Sequence, residues 1–386
     1  MPFSLGDSSL SCETMDGQTG RSTPPPCKLQ RKSNGDSGWL QSEESFSRPS
    51  PLPPVSFGDC TEVWELMCKT DLRYRKDMHV FQKHPVLSPQ MRAILLDWLM
   101  DVCEAYNMYR ETLYLATDFL DRYLSHQINI SKHHLQLIGI TCLFVAAKVE
   151  EIYPPKLQTF AYVTDGACTE QEILDMEIVI MTTLKWKLTP ITPASWVNVF
   201  LQILSVTPHR VNCLHFLRSR AIRLNLSPPE PEDMHLVAPN YSGIDYVRAL
   251  RIIDLTILDL QSFRFSYSAL AASSIYHTKG RDAALGASGY RWEDLAPCVN
   301  WMAPFAAVVK KHDVPDVLPG ISGISDEARH LIQSHSITLT MLDQVEVLSQ
   351  TSKICSPMTH SEGLLTPPRS SKKRKKPSPG LDPPYF

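Results

Sequence analysis

Residues 135–149 (LQLIGITCLFVAAKV) are apolar on nearly every side of a helical wheel, and this constrains the fold more than any other feature. Such a helix has to be enclosed, by other protein elements or by lipid. Its longest apolar run, Leu137 to Ala147, is too short to cross a bilayer and contains Gly139 and Thr141. It is therefore expected as the central helix of a bundle.

Its neighbours in sequence carry the amphipathic patterns that wrapping it requires. Ser88-Pro89 offers an N-cap with proline at the first helical position, and Met91, Ile94, Leu95, Trp98, Leu99 and Val102 follow at helical spacing. A second helix is expected at about 111–125, with Leu113, Leu120 and Leu124 inward, and Ser131 can cap the central one. Pro154-Pro155 opens a short fourth helix, and Thr169-Glu170-Gln171-Glu172 is a capping box for a fifth. After the hinge Thr189-Pro190-Ile191-Thr192-Pro193, five more segments follow, at 195–204, 244–260, 266–277, about 281–287 and 292–309. A last amphipathic stretch, about 325–347, is expected as a C-terminal helix. Strand-like alternation is nearly absent.

The sequence thus predicts an all-α chain of two five-helix domains, 89–188 and 189–312. An N-terminal helix and linker (58–88) precede them and a C-terminal helix (313–350) follows. The ends differ in kind. Of thirty prolines among 386 residues, eight fall in 1–57 and seven in 355–386, so 1–57 and 351–386 are expected as disordered tails. The chain carries a formal charge of −3, with the positive excess gathered in the last 36 residues. A mildly acidic body with one short basic tail argues against direct nucleic-acid binding.

Catalytic and metal signatures are missing from the sequence. The thirteen histidines form no H-E-x-x-H, and the adjacent pair His133-His134 would point to different helix faces. There is no G-x-S-x-G and no phosphate-cradling glycine loop. Neither an active site nor a cofactor nor a metal is expected. Ten scattered cysteines without a C-x-x-C pair, behind a polar Met1–Arg21, suggest a reducing intracellular setting with no membrane association.

Met91-Arg92-Ala93-Ile94-Leu95, Asp121-Arg122-Tyr123, Leu135-Gln136-Leu137, Ala146-Ala147-Lys148-Val149-Glu150-Glu151-Ile152-Tyr153-Pro154-Pro155 and Met176-Glu177 occur in the order seen in a cyclin box. The chain resembles the cyclin family. Phe160–Cys168, Ser195-Trp196, Trp301–Phe305 and Leu364-Leu365-Thr366-Pro367-Pro368 resemble its cyclin E group. The resemblance covers about 58–205 and 234–345, and about 205–233 stands out as an insertion in the second box.

The resemblance implies tandem cyclin-box folds and a regulatory subunit that binds and activates a cyclin-dependent Ser/Thr kinase at the G1/S transition. Cyclin-dependent kinase 2 is the implied partner. The alternative is a cyclin-box adaptor that scaffolds transcription machinery without activating a kinase. Lys148, Val149, Glu151, Ile152 and Glu177 are the implied kinase contacts. Read from the residues alone, Lys148 would instead cap its own helix and Glu177 would be an ordinary solvated residue. Met91, Ile94, Leu95, Trp98, Asp101, Leu135 and Gln136 are implied to form a groove for Arg-x-Leu-containing substrates and inhibitors, with Met91, Leu95 and Trp98 partly exposed. By helical spacing alone the same stripe is core. Arg92 and Asp121 are read as a structural ion pair.

In the tail, Thr366 and Ser370 resemble a phosphodegron read by a ubiquitin ligase. Lys372-Lys373-Arg374-Lys375-Lys376 suits nuclear import, or is a solvated charge run. Nuclear localisation is expected, with the cytoplasm and centrosome as further places. Ser195–Gln202 resembles a centrosome-targeting segment, its alternative being an amphipathic first helix of the second box.

Overall fold

A computed structural model describes residues 48–53, 58–205, 241–312 and 318–354. The C-terminal tail's motifs and the 205–233 insertion, apart from Ser205, lie outside the described residues, whereas 48–53, expected as part of a disordered tail, are held on the body by Arg48 and Ser50. Among those described, the architecture is helical. The first half comprises α1 (Cys60–Arg73), α2 (Pro89–Ala105), α3 (Arg110–His126), α4 (Leu135–Glu150), α5 (Leu157–Tyr162) and α6 (Glu170–Thr183). The second comprises α7 (193–205), α8 (Gly243–Thr256), α9 (Tyr267–Lys279), α10 (Arg281–Ser288) and α11 (Trp292–Lys311), and α12 (Leu339–Ile354) closes the body.

Local chemistry sets the helix starts. Ser88 Oγ accepts from the Met91 N–H at 3.2 Å, ahead of Pro89 at the first helical position of α2. Thr169 and Glu172 form a reciprocal capping box on α6. Each half then wraps one fully enclosed helix. In α4 every residue from Ile138 to Ala147 is buried, with α2, α3, α5 and α6 packed around it. In α9 every residue from Tyr267 to Ile275 is buried, against α8, α10 and α11. The small residues of α9, Ser268, Ala269, Ala271, Ala272, Ser273 and Ser274, let those neighbours approach closely. Trp64 of α1 meets Trp196 of α7 edge to face, centroids 5.6 Å apart at 87°.

The C-terminal segment departs from the expectation of one helix over about 325–347. A 3-10 turn, Arg329–Leu331, is followed by extended chain, and α12 begins only at Leu339. The reason is what this segment bonds to. The Gln333 N–H donates to the Met108 carbonyl at 2.9 Å, and Ile332 forms an isolated antiparallel bridge with Tyr109. Ser334 and Ser336 accept from Arg110 and Arg251 at 2.9 and 3.0 Å. A helix would turn these groups onto itself; the extended strap gives them to the body.

Buried charge joins the halves. Arg92 donates through Nε and Nη2 to Asp121 at 2.6 and 2.8 Å, and through Nη1 to the Ile257 carbonyl at 2.6 Å. Lys76 adds a contact to Asp121 at 2.5 Å. Burial pushes the Asp121 carboxyl up, but the two cations outweigh it and hold it below its ordinary value. Asp254 of α8 accepts from Arg110 at 2.8 Å and from Tyr114 at 2.6 Å, both on α3. Tyr267 of α9 donates to Asp118 at 2.8 Å. At the hinge, Glu111 accepts from Thr192 at 2.7 Å and from Ser195 at 3.1 Å; burial outweighs these bonds and pushes its carboxyl up to about 7.

Two expectations follow from this seam. Arg92→Ala leaves Asp121 under-compensated and the Ile257 carbonyl without its donor, and should lower unfolding stability by about 3–5 kcal/mol in urea titrations. Glu111 binds its proton more tightly folded than unfolded, so its favourable contribution is complete below about pH 4.5 and lost as pH rises through about 7. The loss amounts to up to about 3 kcal/mol. Glu111→Gln should remove that decline and raise Tm at pH 8 relative to the wild type.

Candidate functional site

The C-terminal end of α4 and the facing side of α6 bring Lys148 and Glu177 together. The Lys148 ammonium bonds the Glu177 carboxylate across the two helices, and it also stands 4.2 Å from the centroid of the Phe144 ring. Lys148 thus lies over Phe144 of its own helix and gives its hydrogen bond to Glu177 of α6 rather than to the last carbonyls of α4. Both side chains keep part of their surface in water. Val149 is exposed beside them, and Ile152 and Tyr153 of the following turn are 75% and 92% exposed.

Glu151 faces the other way. Its Oε1 accepts from the Tyr109 N–H at 2.8 Å and the Thr112 hydroxyl at 2.5 Å, so it caps α3. The helix ends at Glu150 and Glu151 is extended, which breaks the spacing that would have put it on the face of Lys148. The sequence reading missed Tyr153, Tyr162, Leu174, Ile178 and Val179, which are large, apolar and exposed on α5, α6 and the turn before them. On α6 the signal was available: the apolar residues are too many for one buried stripe, and Ile173 and Ile180 already form that stripe.

The second surface lies between α2 and α4. Met91 and Trp98 are half-buried, Ile94 is 50% exposed, and Gln136 is half-buried. Leu95, expected to be partly exposed, is only 6% exposed, and Leu135 is buried as well. Close helix packing explains this: a Cβ on Gly139 would come within 2.7 Å of Leu95 Cδ1, so α4 presses its glycine on that side chain. Leu95 and Leu135 therefore serve as underlying support, with Met91, Ile94, Trp98 and Gln136 at the surface. Asp101 is exposed, and His335 of the C-terminal strap stands 3.8 Å from it and 3.0 Å from Asp97. No sequence pattern links His335 to α2, because the two are 238 residues apart.

The segment Ser195–Gln202 belongs to α7, and half of it, Trp196, Val197, Phe200 and Leu201, is buried core. Among the described residues no cluster of three or more His, Cys, Asp or Glu is arranged to hold a metal ion, and no helix is long and apolar enough to cross a membrane.

Comparison with known proteins shows the family. The family "Cyclin, N-terminal domain" matches residues 62–189, and "Cyclin, C-terminal domain" matches 192–317. The G1/S-specific cyclin-E1 of Rattus norvegicus is 42% identical over 331 residues, 85% of this chain and 74% of that protein. The G1/S-specific cyclin-E of Hemicentrotus pulcherrimus is 39% identical over 386 residues, 97% of this chain and 84% of that protein. Among solved structures, a viral cyclin from herpesvirus saimiri aligns with TM-score 0.47 at 18% identity, covering 64% of this chain and 96% of that one. The chain belongs to the cyclin family, as a homologue of G1/S-specific cyclin E and hence a non-catalytic regulatory subunit that works through a cyclin-dependent kinase.

Proposed function

We propose that the kinase partner is cyclin-dependent kinase 2 and that it docks on the α4–α6 surface. The observation that carries this reading is the partly exposed Lys148–Glu177 pair, set among the exposed apolar side chains Val149, Ile152, Tyr153 and Ile178. A protein kinase is active when its helix-C glutamate pairs with the catalytic lysine and its activation loop is open. A rigid surface that binds only that arrangement shifts the kinase population towards it. Lys148 and Glu177 supply a charged donor and a charged acceptor that can turn from each other to backbone groups of an incoming helix. The apolar side chains beside them supply the buried area.

The α2–α4 surface takes Arg-x-Leu segments of substrates and inhibitors. Met91, Ile94 and Trp98 receive the leucine, while Asp101 and Gln136 receive the arginine and the peptide backbone. The tails complete the reading. Thr366 and Ser370, once phosphorylated, are read by a ubiquitin ligase, and Lys372–Lys376 direct the chain to the nucleus.

Double substitution Lys148→Ala with Glu177→Ala should weaken kinase association in pull-down and calorimetry by about a hundredfold or more. Its unfolding stability should move by about 1 kcal/mol or less, because the pair, with side chains 38% and 15% exposed, lies at the surface, where ion pairs contribute little to folding. Retention of full affinity would refute the assigned surface. Met91→Ala with Trp98→Ala should spare kinase activation and phosphorylation of a short peptide lacking the motif. The same variant should raise KM for an Arg-x-Leu-containing protein substrate about tenfold, as steady-state kinetics on the two substrates would show.

A further inference from the structure

Residues 48–53 (Arg-Pro-Ser-Pro-Leu-Pro) lie as a strap without regular secondary structure on the body, away from both surfaces above. Prolines at 49, 51 and 53 fix φ near −65° and have no backbone N–H to offer, so anchoring falls to side chains. Arg48 enters the cleft where α1, α7 and the α9–α10 pair meet. Its guanidinium carbon is 3.9 Å from the centroid of Tyr290, and 5.3 and 5.8 Å from the Trp64 and Trp196 rings. Its nitrogens donate to the Ser288 carbonyl at 3.3 Å, to Ser268 Oγ at 3.3 Å and to Cys68 Sγ at 3.1 Å. Ser268 in turn donates to the buried Asp71 of α1 at 2.5 Å. The strap backbone is seated just as closely. Gly289 has φ +66°, and a Cβ there would come within 2.6 Å of the Pro49 carbonyl oxygen.

Ser50 is the second anchor. Its hydroxyl donates to the Cys60 carbonyl in the first turn of α1 at 3.0 Å. One residue before Cys60 is Asp59, whose carboxylate caps α1 through the Thr61 and Glu62 N–H groups at 2.7 and 3.0 Å. Those N–H bonds hold the Asp59 carboxyl below its ordinary value, so an anion already stands there. Ser50-Pro51 is the dipeptide that proline-directed Ser/Thr kinases accept, and three X-Pro steps in six residues disfavour a helical backbone there.

We propose that Ser50 is a phosphoacceptor for a proline-directed kinase, and that the phosphate lifts the strap from the body and unties α1 from α9 and α10. The transfer forms a bond between Ser50 Oγ and the γ-phosphorus of ATP. The bond from that phosphorus to the leaving ADP oxygen breaks, and the hydroxyl proton passes to the kinase's base. The phosphoserine no longer has the proton that reaches the Cys60 carbonyl. In its place stands a group of charge about −1.5 to −2 with three strong acceptor oxygens, set against a carbonyl oxygen at a helix start whose Thr61, Glu62 and Val63 N–H groups, which would favour an anion, are already taken by Asp59. Arg48, two residues away, is the cation such a phosphate can recruit, and a charge-assisted pair within the strap takes it from Tyr290 and Ser268. Both anchors fail together, and neither loss involves the kinase-docking or groove residues.

The test uses the purified full-length chain and its Ser50→Ala variant, each incubated with ATP and a proline-directed kinase. Phosphosite mapping and amide hydrogen exchange, both by mass spectrometry, then follow. Phosphate is expected on Ser50, with exchange in 60–73 and 281–290 about tenfold faster than in the untreated chain. Ser50→Ala, carrying phosphate at its other Ser/Thr-Pro sites, should keep the untreated rate. Unphosphorylated Arg48→Ala should reproduce the acceleration. The proposal is overturned if other sites fill while Ser50 stays empty, or if phosphate on Ser50 leaves α1 exchange unchanged. It is equally overturned if treated Ser50→Ala accelerates like the wild type, or if Arg48→Ala exchanges at the wild-type rate.

Discussion

Arg92 is buried, and its three hydrogen-bonded guanidinium nitrogens are divided between two parts of the fold: Nε and Nη2 meet the Asp121 carboxylate on α3, and Nη1 meets the Ile257 carbonyl at the end of α8. A charge in that position is tolerated only while all of those partners stay in place. Apolar contact between two helical bundles accepts many crossing angles at similar energy; a guanidinium fork accepts few. The same holds for Asp254, which takes bonds from Arg110 and Tyr114 together, and for Asp118 between Tyr267 and Arg122. These polar contacts on α2 and α3 set how the second half sits on the first. They accept a desolvation cost in return for one defined arrangement.

That arrangement matters because the proposed kinase surface is built on backbone the seam holds still. Lys148 lies one residue beyond a run of α4 that is buried without interruption, so its starting point is fixed on every side. Glu177 projects from a helix whose start is tied by its own capping box and whose Ile173 and Ile180 are buried. Two side chains held by rigid elements lose less conformational freedom on binding than two on a mobile loop. A chain that lacks chemistry of its own can then impose order on another protein, because its own order is already established.

Much of this was legible in the sequence wherever the cause is local. The Ser88-Pro89 start, the Thr169–Glu172 box and the enclosure of 135–149 each follow from a few adjacent residues, and α2, α4 and α6 stand where those residues put them. Reading failed where a distant partner decides. The stretch from Ser325 carries an amphipathic pattern, but Met108, Arg110 and Arg251 claim its polar groups and keep it extended. Leu95 looks like its neighbours on the stripe, and only Gly139 on another helix accounts for its burial. His335 beside Asp97, and Arg48 against Tyr290, have no local signature at all.

Glu151 shows how the site and the seam are connected. Because α4 stops at Glu150, the next carboxylate swings under the chain and caps the start of α3 through Tyr109 and Thr112. A negative group there is favoured by the helix dipole as well as by the hydrogen bonds. In the same turn of α3, Arg110 holds Asp254 of the second half, and Glu111 holds Thr192 and Ser195 at the hinge. Four consecutive residues, 109–112, thus bind the end of α4, the second bundle and the linker between bundles. A displacement of the second half can reach the end of α4 through this turn, which has a hydrogen-bonded grip on both. The second box therefore steadies the α4–α6 surface without contributing a residue to it.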